Sequence, residues 1–438
     1  MTRAVRGVFG GVAIVGLVAL VAACEEQSPT SSDPDGVPVE VQTVELEIPW
    51  SEFGQRIESF GGFGSASRIG EVVVAKDLGG ILDSRALIRF DTFPAGVAVR
   101  NAEGLLVTDT VITIRSGRLI ALADTSAADS LTTWTFAAGV LDQPWDVVSA
   151  DWESAIDSVG QRVAWDEPGA GPVRSLGQVT ADVGASGDSI VFDLDDVTLA
   201  EWADSVGSER TARIDLVSSD ERVDIRSLTL RLEIGSSVAP DTTVFRDVSA
   251  VARTFIYTPE PEAPEGVVRV GGSPSWRTVL GLDVPEVLNG PAALCELAGC
   301  PVELTSESLS RASLVLRSRA TLPAAFQPVD SVLLDVRPVL APGALPRSPL
   351  GSSLVGEAAL GADAFGSAAG QPFEIPITTF VRRILDAEEG GTPPPTNLAL
   401  LSLVEPLDIS FAEFDGPGDP GAPVLRLLVT VTDAVRYR

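Results

Sequence analysis

From Thr43 onward the chain is written in short apolar runs cut off by Gly, Pro, Asp and Ser, and this rhythm constrains its fold more than any other feature. The runs include "TVELEIPW", "EVVVAK", "RALIRFD", "TVITIRS", "TTWTFAAGVL", "DSIVFDL", "RTARIDLVS" and "RVDIRSLTLRLEI". They are dense in β-branched residues, and turn residues recur every 8–15 positions or so. Alternation of period two lets a strand bury one face, so a chain built this way closes a core only by stacking sheets. Helical periodicity is scarce. Its best instances are "TLAEWADSV" (198–206) and "TTFVRRILDAEE" (378–389), each opened by a threonine suited to N-capping.

The two helical stretches lie in matching surroundings. "FDLDDVTLAEWADSV" (192–206) aligns without a gap to "FEIPITTFVRRILDA" (373–387), placing Phe192 on Phe373 and Thr198 on Thr379. "RALIRFDTFP" (85–94) matches "RTVLGLDVP" (277–285), with Asp91 on Asp283, and "ITIRS" (112–116) matches "LVLRS" (314–318). Matches in the same order predict an internal duplication. The expected class is all-β, with two tandem β-sandwich or jelly-roll domains at 43–236 and 241–438, each bearing one short capping helix. The expected boundary is "GSSVAPDTT" (235–243).

Before the β region comes a different text. Arg3 and Arg6 precede an uncharged apolar run, Gly7 to Val21, which is shorter than the roughly 20 residues a membrane-spanning helix needs. It ends Leu20-Val21-Ala22-Ala23-Cys24 and turns at once to "EEQSPTSSDPDG". This resembles a bacterial lipobox, with a signal peptide at 1–23, Cys24 as the lipidated residue and 24–42 as a disordered tether. An ordinary signal peptide cut at Ala23 is the alternative. Acyl chains on Cys24 would hold the protein to a membrane through lipid. Glu25 after the anchor favours an outer-membrane address over an inner one where the envelope has two membranes. Export makes Cys295 and Cys300, in "LCELAGCP", a disulfide pair closing a small loop.

A second resemblance is carried by a strand of the form R-x-L-[IL]-R-F-D-x-x-P (85–94). It is supported by "WDVVSADWESAI…VAW" (145–165), with Trp152-Glu153 ahead of Trp165, and by a late F-D-[LV]-x-x-V-T segment opening a short helix. These resemble the DNRLRE-type domain of bacterial exported proteins over roughly 50–235, and more weakly over 241–433. The resemblance implies a jelly roll of the sort found beside carbohydrate-active enzymes, some of them carbohydrate-binding modules.

Chemistry is sparse. The chain has no histidine, which removes Ser–His and Cys–His catalysis and the commonest metal ligand. No GxSxG elbow and no phosphate loop occur. A carboxylate pair for glycoside hydrolysis or a lyase remains conceivable, but among 61 acidic residues some pair is inevitable and decides nothing. The formal charge of −30, or −32 once Arg3 and Arg6 leave with the leader, excludes nucleic acid as a partner. The acidic loops "FDLDD" (Asp193, Asp195, Asp196) and "EFDGPGDPG" (Asp415, Asp419) lack EF-hand spacing, and no metal or other cofactor is expected. Six of the seven tryptophans fall in the first repeat. Of these Trp134, Trp145, Trp152 and Trp165 could form a saccharide platform if they share an exposed groove; otherwise they are core. The expectation is thus a non-catalytic, lipid-anchored envelope protein with binding or structural modules, its partners the membrane and an envelope protein or polysaccharide. A polysaccharide-binding surface lipoprotein is the alternative.

Overall fold

The computed structural model describes residues 41–432 apart from 64–65, 69–70, 125–131, 184–188, 205–209, 219, 356–357, 388–391 and 406–408. The signal peptide, Cys24 and nearly all of the tether lie outside the described residues. The fold is all-β, as the alternation predicts, with short helices at its margins.

The described chain opens with β1 (Val41–Pro49), the single turn α1 (Trp50–Phe53) and β2 (Gly54–Phe60). One sandwich then follows: β3 (Val72–Leu78), β4 (Leu82–Phe90), the hairpin β5 (Val97–Arg100) and β6 (Leu106–Asp109), β7 (Ile112–Ala123) and β8 (Thr132–Val140). It continues through the hairpin β9 (Ser154–Ser158) and β10 (Gln161–Ala164), β11 (Arg174–Val183), β12 (Ser189–Asp193), α2 (Asp196–Asp204), β13 (Arg210–Leu216), β14 (Glu221–Ser236) and β15 (Thr243–Tyr257). Its strands pair in the order β11-β8-β13-β4-β15-β14-β7-β12, and β3 pairs both β14 and β4. Inward rows such as Ala86, Ile88 and Phe90 of β4 meet Leu230, Leu232 and Ile234 of β14 in one core. Alternation sends Leu87 to the opposite face.

The second sandwich comprises β16 (Val268–Gly271), β17 (Arg277–Leu282), the hairpin β18 (Val287–Leu288) and β19 (Val302–Glu303) around α3 (Ala292–Ala298), β20 (Leu309–Arg319), β21 (Val332–Pro338) and β22 (Ala358–Leu360). It ends with β23 (Pro372–Pro376), α4 (Thr378–Leu385), β24 (Asn397–Ser402), β25 (Phe411–Phe414) and β26 (Val424–Thr432). One sheet runs β22-β21-β24-β17-β2. The other runs β1-β26-β20-β25-β16, with β23 also on β20.

Once β1 and β2 together are set against β15, the order β11-β8-β13-β4-β15-β14-β7-β12 matches β22-β21-β24-β17-β2 and β1-β26-β20-β23; β3 against β25 and β16 is where the two sandwiches differ. In the first sandwich β15 pairs β14 through Thr243–Ser249 and β4 through Ala250–Tyr257, turning the corner between layers at an irregularity between Ala250 and Ala252. In the second, β1 pairs β26, α1 turns the corner, and β2 pairs β17. Even the corner bond is shared: Asp91 N–H donates to Ser249 O (3.1 Å), and Asp283 N–H donates to Phe53 O (2.6 Å).

This corrects the expected domains at 43–236 and 241–438. The first repeat's opening strand completes the second sandwich, and the second repeat's opening strand completes the first. The sheets therefore divide the chain as 72–257 against 41–60 with 268–432. The stretch 235–243 is no linker but the turn between β14 and β15, held by Asp109. Its carboxylate accepts bonds from Ser236 Oγ (2.6 Å), Ser237 Oγ and Val238 N–H. The chain crosses between sandwiches at 61–71 and 258–267 instead.

The Phe192 and Phe373 match holds: both are buried, one strand ahead of a helix, against Leu119 and Leu316 respectively. That register makes Leu119 the counterpart of Leu316, so the pairing of 112–116 with 314–318 is five residues out of step. The threonines do not act as N-caps. Asp195 caps α2 by accepting from Thr198 N–H (2.6 Å), while Thr198 accepts from Arg174. Thr378 bonds the backbone of Ala312 on β20 instead.

Candidate functional site

On β4, Arg85, Leu87 and Arg89 alternate away from the core, beside Arg213 and Asp215 of β13. The excursion from Leu141 to Val173, between β8 and β11, folds over this face. Leu87, Leu141, Trp145, Ala155, Trp165, Ala170 and Ile256 form a small apolar cluster of their own there. The arginines tie the excursion down. Arg85 Nη1 donates to Gly169 O (2.6 Å) and its guanidinium lies 4.8 Å from the Trp152 ring centre. Arg89 Nη2 donates to Trp145 O (2.5 Å) and sits 4.8 Å over that ring. Arg213 donates to Ala170 O (2.8 Å) and to Asp215 Oδ2 (2.7 Å). Burial pulls the Arg85 pKa below its ordinary value against the attraction of Asp215, yet a guanidinium stays charged at any physiological pH. Cation–π pairing is strongest under such desolvation.

The expected saccharide platform does not form. Trp145 and Trp165 are 3% and 5% exposed, and Trp165 Nε1 donates to Asp151 O (2.8 Å). Trp152 is half-buried beneath Arg85. Trp134 belongs to β8, on the inward row with Phe136 and Ala138, and packs against the main core of the first sandwich. The four rings share no groove: Trp134 faces the main core, and the apolar area of Trp145, Trp152 and Trp165 is spent holding an excursion to a sheet face that already carries three arginines. Sequence could have flagged those arginines: R-x-L-x-R on a strand puts both cations on one face.

A cavity of about 230 Å³ opens beside this face, lined by Lys76, Asp83, Ser84, Arg85, Asp215 and Val217 among others. Lys76 Nζ donates to Asp83 Oδ2 (2.8 Å) and Oδ1 (3.1 Å), which raises the lysine pKa. Lys76 is therefore an ammonium at neutral pH and has no lone pair for nucleophilic attack. Two cations and two carboxylates balance within the cavity.

A cluster of deeply buried charges lies where the crossing segment 258–267 meets the second sandwich. Arg269, 1% exposed, donates to Glu413 Oε1 from Nε (3.0 Å) and Nη2 (2.7 Å), donates to Pro261 O, and lies 3.9 Å over Phe411. Glu260 accepts from Ser273 N–H (2.8 Å) and Trp276 Nε1 (3.0 Å). Arg277, the counterpart of Arg85, pairs with Glu405 (2.6 Å) and stacks 4.1 Å over Phe63. Burial raises the Glu405 pKa, opposed by Arg277. These charges fasten chain crossings rather than flank a cleft.

The acidic loops are likewise engaged. Asp193 pairs with Arg118 (3.0 Å), Asp195 caps α2, and Asp419 accepts from Arg319 Nη1 (3.0 Å) and Gly416 N–H (2.8 Å). Burial and the neighbouring Asp419 raise the Asp415 pKa. Among the described residues, no three acidic or cysteine side chains are grouped to hold a metal ion. Cys295 and Cys300 are joined in a disulfide across the end of α3, with Cα atoms 4.8 Å apart. Among the described residues no helix is long and apolar enough to cross a membrane. Comparison with protein-family models and with curated protein sequences gave no match to this chain.

Proposed function

We propose that this chain is a non-catalytic, lipid-anchored envelope protein of DNRLRE-like jelly-roll type, held through Cys24 and presenting its sandwiches to an envelope partner. The observation that carries this reading is the run Leu20-Val21-Ala22-Ala23-Cys24, an apolar segment too short to span a bilayer followed at once by an acidic, proline-bearing stretch. The state of the ionisable groups supports the non-catalytic part. Arg269 with Glu413, Arg277 with Glu405 and Arg213 with Asp215 are engaged in internal pairs, and Lys76 is kept protonated by Asp83. An outer-membrane address remains part of the proposal where two membranes exist.

The test is Cys24→Ser in the native host, with membrane fractionation and incorporation of radiolabelled palmitate. Label should be lost, and the variant should leave the membrane fraction or persist as an unprocessed precursor. A variant that is processed and sediments like the wild type would sink the proposal.

A further inference from the structure

The second sandwich is closed by a segment from the far end of the chain. Residues 41–60 add β1 along β26, from Val41 opposite Thr432 to Pro49 opposite Val424, and β2 along β17, from Gly54 opposite Leu282 to Phe60 opposite Arg277. Leu46, Ile48, Trp50 and Phe53 enter the core of the second sandwich, each 8% exposed or less. Glu45 and Glu47 alternate outward and meet Arg426 at 3.1 and 2.8 Å. The core of the first sandwich takes nothing from 41–60. The covalent route from this segment to the rest of the chain is the glycine-rich stretch "GGFGSASRIGE" (61–71). Its first residues are also fastened to the second sandwich, through Gly62 and Phe63 N–H bonds to Pro274 O (2.6 and 3.0 Å).

We propose that the second sandwich is a strand-binding module whose ligand is segment 41–60, an alternating apolar and acidic strand held in the groove between β26 and β17. The segment is retained by that ladder and core, not by the peptide chain at 61–71. Main-chain pairing supplies the generic affinity of an added strand, and the alternate pockets filled by Leu46, Ile48, Trp50 and Phe53 supply register and specificity. In the first sandwich β15 fills the equivalent position, pairing β14 and β4, but it follows β14 through a short turn rather than coming from the far end of the chain. Resting on the Cys24 anchor proposed above, the module has a further consequence. In the lipidated protein, pull from the membrane reaches the noncovalent ladder of the second sandwich first and the peptide link at 61–71 only behind it, because the tether leads straight into β1.

The experiment places a protease site between Phe63 and Val72 in the mature chain made from Glu25 onward, without leader or Cys24. After cleavage, the amino-terminal fragment should co-elute with the remainder in native size exclusion and separate only in denaturant. Truncating Phe53 to Ala in the nicked protein should speed fragment loss by roughly 100-fold or more, given the size of a buried phenyl group. Glu58→Gln, at an exposed position on β2, should change it little. A fragment that elutes alone, or a remainder that aggregates once nicked, overturns the proposal. The same cut in the lipidated protein should leave the body in the membrane fraction. If the soluble nicked protein holds together while the uncut lipoprotein never sediments with membranes, the anchor reading fails and the module stands.

Discussion

Arg269 is the largest fully buried side chain among the described residues, and its charge is met by Glu413, the Pro261 carbonyl and the Phe411 ring. Glu413→Gln should cost about 3–5 kcal/mol in urea unfolding, because it strands a guanidinium already removed from water. Replacing the pair together, Arg269→Met with Glu413→Leu, should recover most of that loss, since burying a charge pair is itself expensive. A double variant as unstable as the single one would show that the bond to Pro261 matters more than the ion pair. Asp109 offers a pH-dependent counterpart. Hydrogen bonding, led by Ser236, holds its carboxyl well below the usual carboxylate range. Below about pH 4 the unfolded chain takes up this proton first, so the contribution of Asp109 is full at neutral pH and fades as pH falls toward the folded-state value. Asp109→Asn should therefore lower the urea midpoint at pH 7, and the gap to wild type should narrow in acid. A gap that widens on acidification would refute this. None of this was legible beforehand, because sequence reveals an aspartate but not the two serines that reach it from another strand.

At the scale of elements, what could be read was the face of each strand and what could not was its partner. "RALIRFD" declares Ala86, Ile88 and Phe90 inward and Arg85, Leu87 and Arg89 outward, and the structure agrees. Nothing in that alternation says that β4 lies between β13 and β15, because strand partners are chosen by long-range closure. The tryptophans failed for a related reason. An aromatic on a loop reads as available until the loop is seen folded over a face that needs covering. The disulfide was legible because it is local, two cysteines five residues apart closing one short loop. For the same reason its effect should be confined. Loop-closure entropy for so few residues is about 2 kcal/mol at most, so reduction should lower the melting temperature by a few degrees and leave the far-ultraviolet circular dichroism unchanged. Loss of β structure on reduction would mean that the β18–β19 hairpin supports more of the second sandwich than its position implies.

For the whole molecule, the repeated order of motifs was legible and the wiring of the strands was not. Repeats of similar sequence suggest repeats that fold side by side, and alignment cannot distinguish that from repeats that have traded their first strands. The trade changes which piece of chain can stand alone. A fragment cut at the repeat boundary, 43–236, lacks β15. It leaves the edges of β14 and β4 unpaired and removes Val248 and Phe255 from the core, while carrying β1 and β2 with nothing to bind. A fragment cut where the sheets divide, 72–257, keeps all nine strands of its network. Among the described residues it loses the buried Phe326, Ile409 and Phe411, the half-buried Ala66 and Ala325, the bonds between Asp83 and Thr258, and the bond from Arg222 to Ser410. At this length a core of its own is enough for independent stability, and exposure of that apolar patch should weaken the fragment without abolishing its fold. Fragment 72–257 should therefore unfold cooperatively in urea, and fragment 43–236 should be insoluble or show no transition. If 43–236 proves the stable one, β15 is dispensable to the first sandwich and the reciprocal exchange is not what holds the two repeats together.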